Sequence, residues 1–185
     1  MSTQSGGELL DRVPIVQSAV AGLGAYVASF ALVAIVVAAM EDGDDLVGGA
    51  GNILYGAHFV DSKSTVSMMG QTQSQTSNFV SEASLEAPEL LYQIIPIVVL
   101  VGAGIALVRT FDIQDETDAA IAGAATAIGY VVLTVVGTFV FEMSESQQGI
   151  SVDVAPELGL VTVLLMGIVY PAVFGGIGGF VGTRL

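Results

Sequence analysis

Four long apolar runs alternate with polar intervals along the chain, and that alternation sets the fold to expect. The runs cover residues 14–40, 90–108, 119–141 and 158–183, and from Ile15 onward none of them contains Asp, Glu, Lys or Arg. A helix rising ~1.5 Å per residue needs ~20 apolar residues to cross a ~30 Å hydrocarbon core, so each run is long enough to span. The pattern predicts an all-α membrane protein with four transmembrane helices. Its polar segments are a tail at 1–13, a long loop at 41–89, a link at 109–118 and a second loop at 142–157. The first run follows an acidic leader and is roughly twice a secretory h-region, so it reads as an anchor. The short link makes the second and third helices antiparallel neighbours.

Local signals fill in the loops. Glu41 to Asp45 ends the first helix, and Gly48, Gly49 and Gly51 argue against a regular restart. Ile53–Val60 and Ser64–Met69 are β-rich on either side of Asp61-Ser62-Lys63, which predicts a short hairpin in the long loop. Gln71–Asn78 is rich in Gln, Ser and Thr and is expected to be irregular, and 142–157 reads as a plain polar loop. Ala87-Pro88-Glu89-Leu90 recurs as Ala155-Pro156-Glu157-Leu158, which fits either a duplicated helical hairpin or chance matching.

Composition agrees with burial in lipid. Of 185 residues 53% are hydrophobic and 12% charged, about half the roughly 25% charged of soluble proteins. Such runs exclude disorder, and the lack of cysteine excludes disulfides and thiolate metal sites. Arg12, Arg109 and Arg184 each flank a helix end, and four crossings place all three on one face. Lys63 lies across the membrane in the 49-residue loop, so the positive-inside rule makes both termini cytoplasmic, in a multi-pass cell-membrane protein.

The two outer loops carry twelve acids and Lys63, which is −11 of the formal −14. That surface repels nucleic acid, which is not an expected partner. It reads either as a cation-gathering vestibule or, preferred here, as adaptation to concentrated salt, where screening lengths shrink to ~3 Å at 1 M.

Catalytic chemistry is not expected. No ionisable residue sits mid-span, and Tyr26, Thr126, Tyr130, Thr134 and Thr162 are expected to bond backbone or one another. The one histidine, His58, has Asp61 three residues on, too few ligands for a metal site. No Ser-His-Asp or Cys-His set can form without His58, and a solvated pair such as Glu142 and Glu145 lacks pKa tuning. The glycines of 48–56 lack the lysine of a phosphate loop. No enzyme activity, cofactor or metal is assigned. Small residues must bring the helices together in lipid. Gly175, Gly179, Gly178 and Gly182 form two overlapping GxxxG pairs, read as internal packing in preference to a homo-oligomer contact.

Tyr55-Gly-Ala-His-Phe-Val-Asp61 and Pro88-Glu-Leu-Leu-Tyr92…Pro96, set among four spans, resemble small multi-pass haloarchaeal membrane proteins of uncharacterised function. The resemblance implies a compartment and a salty setting, and no site residues. The expected role is a structural, accessory or interaction component of the cell envelope, with the bilayer and an envelope protein or a second copy as partners. Its candidate partner contact is Tyr55, His58, Phe59 and Val60, on the strength of the exposed apolar and aromatic residues expected there, with His58 itself expected to be partly buried against the second helix hairpin. The alternative is a pore or transporter component acting as an oligomer.

Overall fold

A computed structural model of the chain describes residues 12–41, 45–82, 85–147 and 149–185. Most of the expected tail at 1–13, the acidic run at 42–44, Ser84 and Gln148 lie outside the described residues. The helices are α1 (Ile15–Met40), α2 (Leu46–Ala57), α3 (Phe79–Glu82), α4 (Glu89–Thr110), α5 (Glu116–Ala124), α6 (Ala127–Val140) and α7 (Tyr170–Gly182). A π-helical segment, Thr162–Val169, leads into α7. The strands are β1 (Ser62–Met68), β2 (Gln71–Ser77), β3 (Met143–Gln147) and β4 (Ile150–Pro156). Four helical stretches are long and apolar enough to cross a membrane: Ile15–Met40, Glu89–Thr110, Glu116–Val140 and Thr162–Gly182.

The chain forms two compact units, and each long helical stretch contributes to both. The first comprises Met1–Ala28, Ile97–Leu133 and Gly167–Leu185. It is built on glycine. A Cβ on Gly123 would land on the Gly175 carbonyl oxygen, and one on Gly175 would land on that of Gly123. In the same way Gly179 faces the carbonyl of Ala119, Gly178 that of Val101, and Gly129 that of Ala19. A Cβ on Gly182 would come within 3.2 Å of the Ile105 Cα. All four glycines of the GxxxG pairs therefore seat α7 against α4 and α5 of the same chain.

The third span is broken rather than continuous over 119–141. Thr126 Oγ donates to the Gly123 carbonyl at 2.7 Å and to the Pro171 carbonyl at 3.4 Å. This side-chain bond competes with the helical ladder, and α5 ends at Ala124 with α6 starting at Ala127. At the start of α5, Asp115 accepts the backbone N–H groups of Thr117 and Asp118, both at 2.9 Å, as an N-cap. Arg12 pairs with Asp118 at 3.5 Å, while Arg184 pairs with Glu116 at 3.1 Å and lies 4.2 Å from the Phe180 ring centroid. The Arg184–Glu116 pair is exposed on both sides and adds less than about 1 kcal/mol, whereas Asp118 of the other pair is buried.

The second unit comprises Ser29–Pro96 and Thr134–Met166. It departs most from expectation. Ile53–Val60 is not a strand: residues 46–57 form α2, and the hairpin pairs β1 with β2. The glycines meant to block a helix instead let it pack, because Cβ atoms on Gly48 and Gly51 would collide with the Met143 and Phe141 side chains. The polar segment 71–77 is a strand, held to β1 by Thr65–Ser74 and Ser67–Thr72 hydroxyl bonds, both at 3.1 Å. The loop at 142–157 is also a hairpin, and the sheet order is β2-β1-β4-β3, antiparallel throughout. The repeated Ala-Pro-Glu-Leu motifs sit differently: Glu89 opens α4, whereas Pro156 closes β4 opposite Ser62.

Close approach makes glycine position decisive. Gly175→Ala is expected to destabilise the protein by about 1–3 kcal/mol through overpacking against backbone. Gly24→Ala, where a Cβ meets nothing within 4 Å, should be neutral or stabilise by up to about 1 kcal/mol. Denaturant titration of the purified variants, followed by helical circular dichroism, checks the ordering.

Candidate functional site

The candidate site is built around α2. Asp45 caps it, its carboxylate accepting the Gly48 N–H at 2.9 Å. Ala50, Ile53, Leu54 and Ala57 follow helical spacing, and all are buried. Asn52 is buried and fully used. Its amide donates to the carbonyls of Gly48 at 2.9 Å and Phe141 at 3.0 Å, and its oxygen accepts from Ser62 Oγ at 2.7 Å. Three elements thus meet at one side chain: α2, the end of the third span and the first residue of β1. The Tyr55 hydroxyl donates to the Thr134 carbonyl. Its ring lies edge-on to Phe141 at 6.1 Å, and Phe141 stacks on Phe30 at 5.0 Å.

His58 is completely buried, with Nδ1 2.7 Å from the Leu54 carbonyl oxygen. That acceptor calls for a proton on Nδ1. Burial depresses the imidazole pKa to about 4, against the opposing pull of the Leu54 carbonyl, so the ring is neutral at physiological pH. Glu41, just beyond α1, accepts the N–H groups of Glu86 at 3.0 Å and Ala87 at 3.1 Å, and the Tyr92 hydroxyl at 2.8 Å. Burial pushes its carboxyl pKa up, but these donors outweigh it and hold the pKa below the ordinary value. The carboxylate therefore ties the end of α1 to the entry of α4.

The four residues predicted as a partner contact separate sharply. Tyr55, His58 and Val60 are buried within the chain. The exposure expected of Tyr55 and Val60 is corrected here, and His58, expected to be partly buried, is wholly so: as helix and helix-cap residues they turn inward, where a strand would have alternated. Phe59 alone faces out, 55% exposed. It occupies the left-handed position of a Schellman cap, with Phe59 N–H bonded to the Gly56 carbonyl at 2.9 Å and Val60 N–H to the Tyr55 carbonyl at 3.1 Å. Glycine normally fills that position; Phe59 holds it at φ 60°. A bulky residue there carries strain of about 1–2 kcal/mol.

A second such residue went unseen in the sequence. Met69 and Gly70, at φ 51° and 79°, form the two-residue turn joining β1 to β2. Asn-Gly is the usual choice for this turn. Met69 is 93% exposed there, beside the half-exposed Met68. The available signal was a two-residue Met-Gly break between two polar, β-branched runs.

Polar groups within the long helices turn inward as well. Thr126, Tyr130, Thr134 and Thr138 recur every fourth residue and are all buried. Thr138 donates to the Val135 carbonyl at 2.8 Å, and Tyr26 packs edge-on against Tyr130 at 5.1 Å. Ser29 Oγ is buried without a hydrogen-bond partner among the described residues. No group of three or more His, Asp or Glu side chains gathers among the described residues.

A family model matches residues 1–185, and its description is a family of unknown function (DUF7978). No curated protein and no solved structure matches the chain.

The buried imidazole gives the second unit a definite acid response. Unfolded, His58 takes a proton near pH 6.5; folded, only near pH 4. Its contribution to stability is full above the unfolded value and drains away as pH falls through that window, by at most roughly 3 kcal/mol. His58→Leu should flatten the slope of stability against pH between those limits. Denaturant titrations at stepped pH provide the measurement.

Proposed function

The chain belongs to that family, and from its geometry we propose an integral membrane protein of four crossings whose sheet-bearing unit docks an envelope protein. Several observations support this reading. Four helices have the length and apolarity to span. Arg12, Arg109 and Arg184 all belong to the unit that carries both chain ends, whereas Lys63 and −11 of the formal −14 belong to the other. The positive-inside rule turns that asymmetry into orientation: termini cytoplasmic, sheet outside. The outer acid surplus fits a saline exterior, in keeping with a halophilic archaeal cell membrane.

The observation that carries the docking role is Phe59. A folded protein gains nothing of its own by holding an exposed aromatic in a left-handed backbone conformation, and such strain gathers where function requires it. Met69 repeats the arrangement at the hairpin turn. The matching partner surface is an apolar pocket rimmed by cations, since both side chains stand in the −11 unit.

Two measurements test this. Labels on both termini of the native protein should be accessible only after the membrane is breached, and alkaline washing should leave the protein in the membrane. Phe59→Gly should raise stability by up to about 1 kcal/mol as the left-handed strain is relieved, yet lose the partner recovered by crosslinking intact membranes. Recovery of the same partner with this variant would place the contact elsewhere.

A further inference from the structure

The four-stranded sheet ends in two edge strands, β2 and β3. An edge offers free backbone N–H and C=O groups to any other strand, and proteins blunt that risk with charge or proline. The β3 edge is blunted: Glu142 precedes it, Glu145 lies within it, and Asp153 stands in β4 behind it. The β2 edge is not. Residues 64–81 contain no Asp, Glu, Lys, Arg or Pro, in a chain with 18 acids. Gln71 to Thr76 are all exposed, and among the described residues β2 pairs with β1 alone.

Hairpin geometry shows which groups are free. Met69 and Gly70 both have positive φ, as in a type I′ turn, where the residue after the turn donates its N–H to the carbonyl of the residue before it. Gln71 therefore turns its backbone groups toward β1. Such groups alternate between the two sides of an antiparallel strand. Gln73, Gln75 and Ser77 follow Gln71, while Thr72, Ser74 and Thr76 point their N–H and C=O groups outward. The Ser67–Thr72 and Thr65–Ser74 hydroxyl pairs agree, since side chains come closest where opposed residues share no backbone bond.

The strand reads Gln-Thr-Gln-Ser-Gln-Thr-Ser, the same in both directions except at its ends. A two-fold axis at Ser74 sets Ser74 opposite Ser74, Thr72 opposite Thr76 and Gln73 opposite Gln75 of a second copy. The outward-facing residues of both copies then meet as hydrogen-bonded pairs. No other two-fold register overlaps the whole strand. Hydroxyl meets hydroxyl, amide meets amide, and no charges oppose.

We propose that this edge is a homodimer contact, with β2 of one copy adding antiparallel to β2 of a second in the register centred on Ser74. Self-repulsion is the obstacle to joining two chains of formal charge −14, and the uncharged β2 edge is where the sheet lowers it. The proposal stands on the sheet alone and needs neither the Phe59 contact nor the membrane reading. The two-fold axis stands normal to the sheet, so copies inserted alike in one membrane pair with the sheet along the bilayer plane.

The chain has no cysteine, so single thiols report the register directly. Opposed Cα atoms ~5.5 Å apart lie within disulfide range, whereas a four-residue offset of ~14 Å does not. Full-length variants are oxidised with copper phenanthroline in unfractionated lysate, membranes included. Ser74→Cys should crosslink to a dimer. Thr72→Cys and Thr76→Cys should each stay monomeric alone, yet crosslink to one another when co-expressed with different tags. Ser74→Pro removes an outward N–H and no bond to β1. By native mass spectrometry in mild detergent it should weaken the dimer about tenfold or more, with circular dichroism unchanged. Absence of the Ser74→Cys and mixed crosslinks overturns the proposal. So does equal crosslinking of each variant alone, which would report random collision. Pairing in another register, or a Ser74→Cys adduct with a different protein, overturns it as well.

Discussion

Backbone contact between helices is the constraint on which the first unit depends. In the membrane setting proposed above, no hydrophobic gain drives two apolar helices together, so contact must come from dispersion and close approach. Gly123 and Gly175 bring two backbones together with no side chain between them, and Gly178 and Gly179 extend the contact along α7. The break in the third span follows from the same closeness. With α7 this near, Thr126 can reach the Pro171 carbonyl as well as its own Gly123, and the regular ladder yields at that point.

The second unit solves a different problem with polar groups. Its inner helix α2 has three glycines in its first six residues and would be a poor helix alone. It forms because Asn52, Tyr55 and Phe141 fix both its register and its seat. Glycine here is a packing device again: Gly51 admits the Phe141 ring as Gly123 admits the Gly175 carbonyl. A side-chain ring against a helix tolerates adjustment, whereas backbone against backbone does not.

The long helices were legible because an uncharged run of about twenty residues has few other physical outcomes. The interval 46–60 was misread because β-branched and aromatic residues weighed more than spacing. Ala50, Ile53, Leu54 and Ala57 already carried a helical period, and Asp45 already stood in capping position. β2 was invisible for the opposite reason. Strand patterning arises from burying one face, and most of Gln71–Ser77 is exposed, so its order comes from pairing with β1. Phe59 was singled out on grounds that fail for its apolar neighbours: exposure was assumed for Tyr55 and Val60 as well, and only the residue in the left-handed cap has it.

Glycine spacing in a helix states that a close approach is available and is silent on whether anything takes it. Gly24 stands two residues after Gly22, and Gly102 two before Gly104. Gly22 and Gly104 point at the backbones of Thr126 and Gly175, while a Cβ on Gly24 or Gly102 would meet nothing within 4 Å. In a helix a two-residue step turns the side chain by ~200°, so a glycine pair at that spacing serves opposite faces. One face is closed by the protein's own chain. The other is left open, along the face that α1 and α4 present at Gly24 and Gly102.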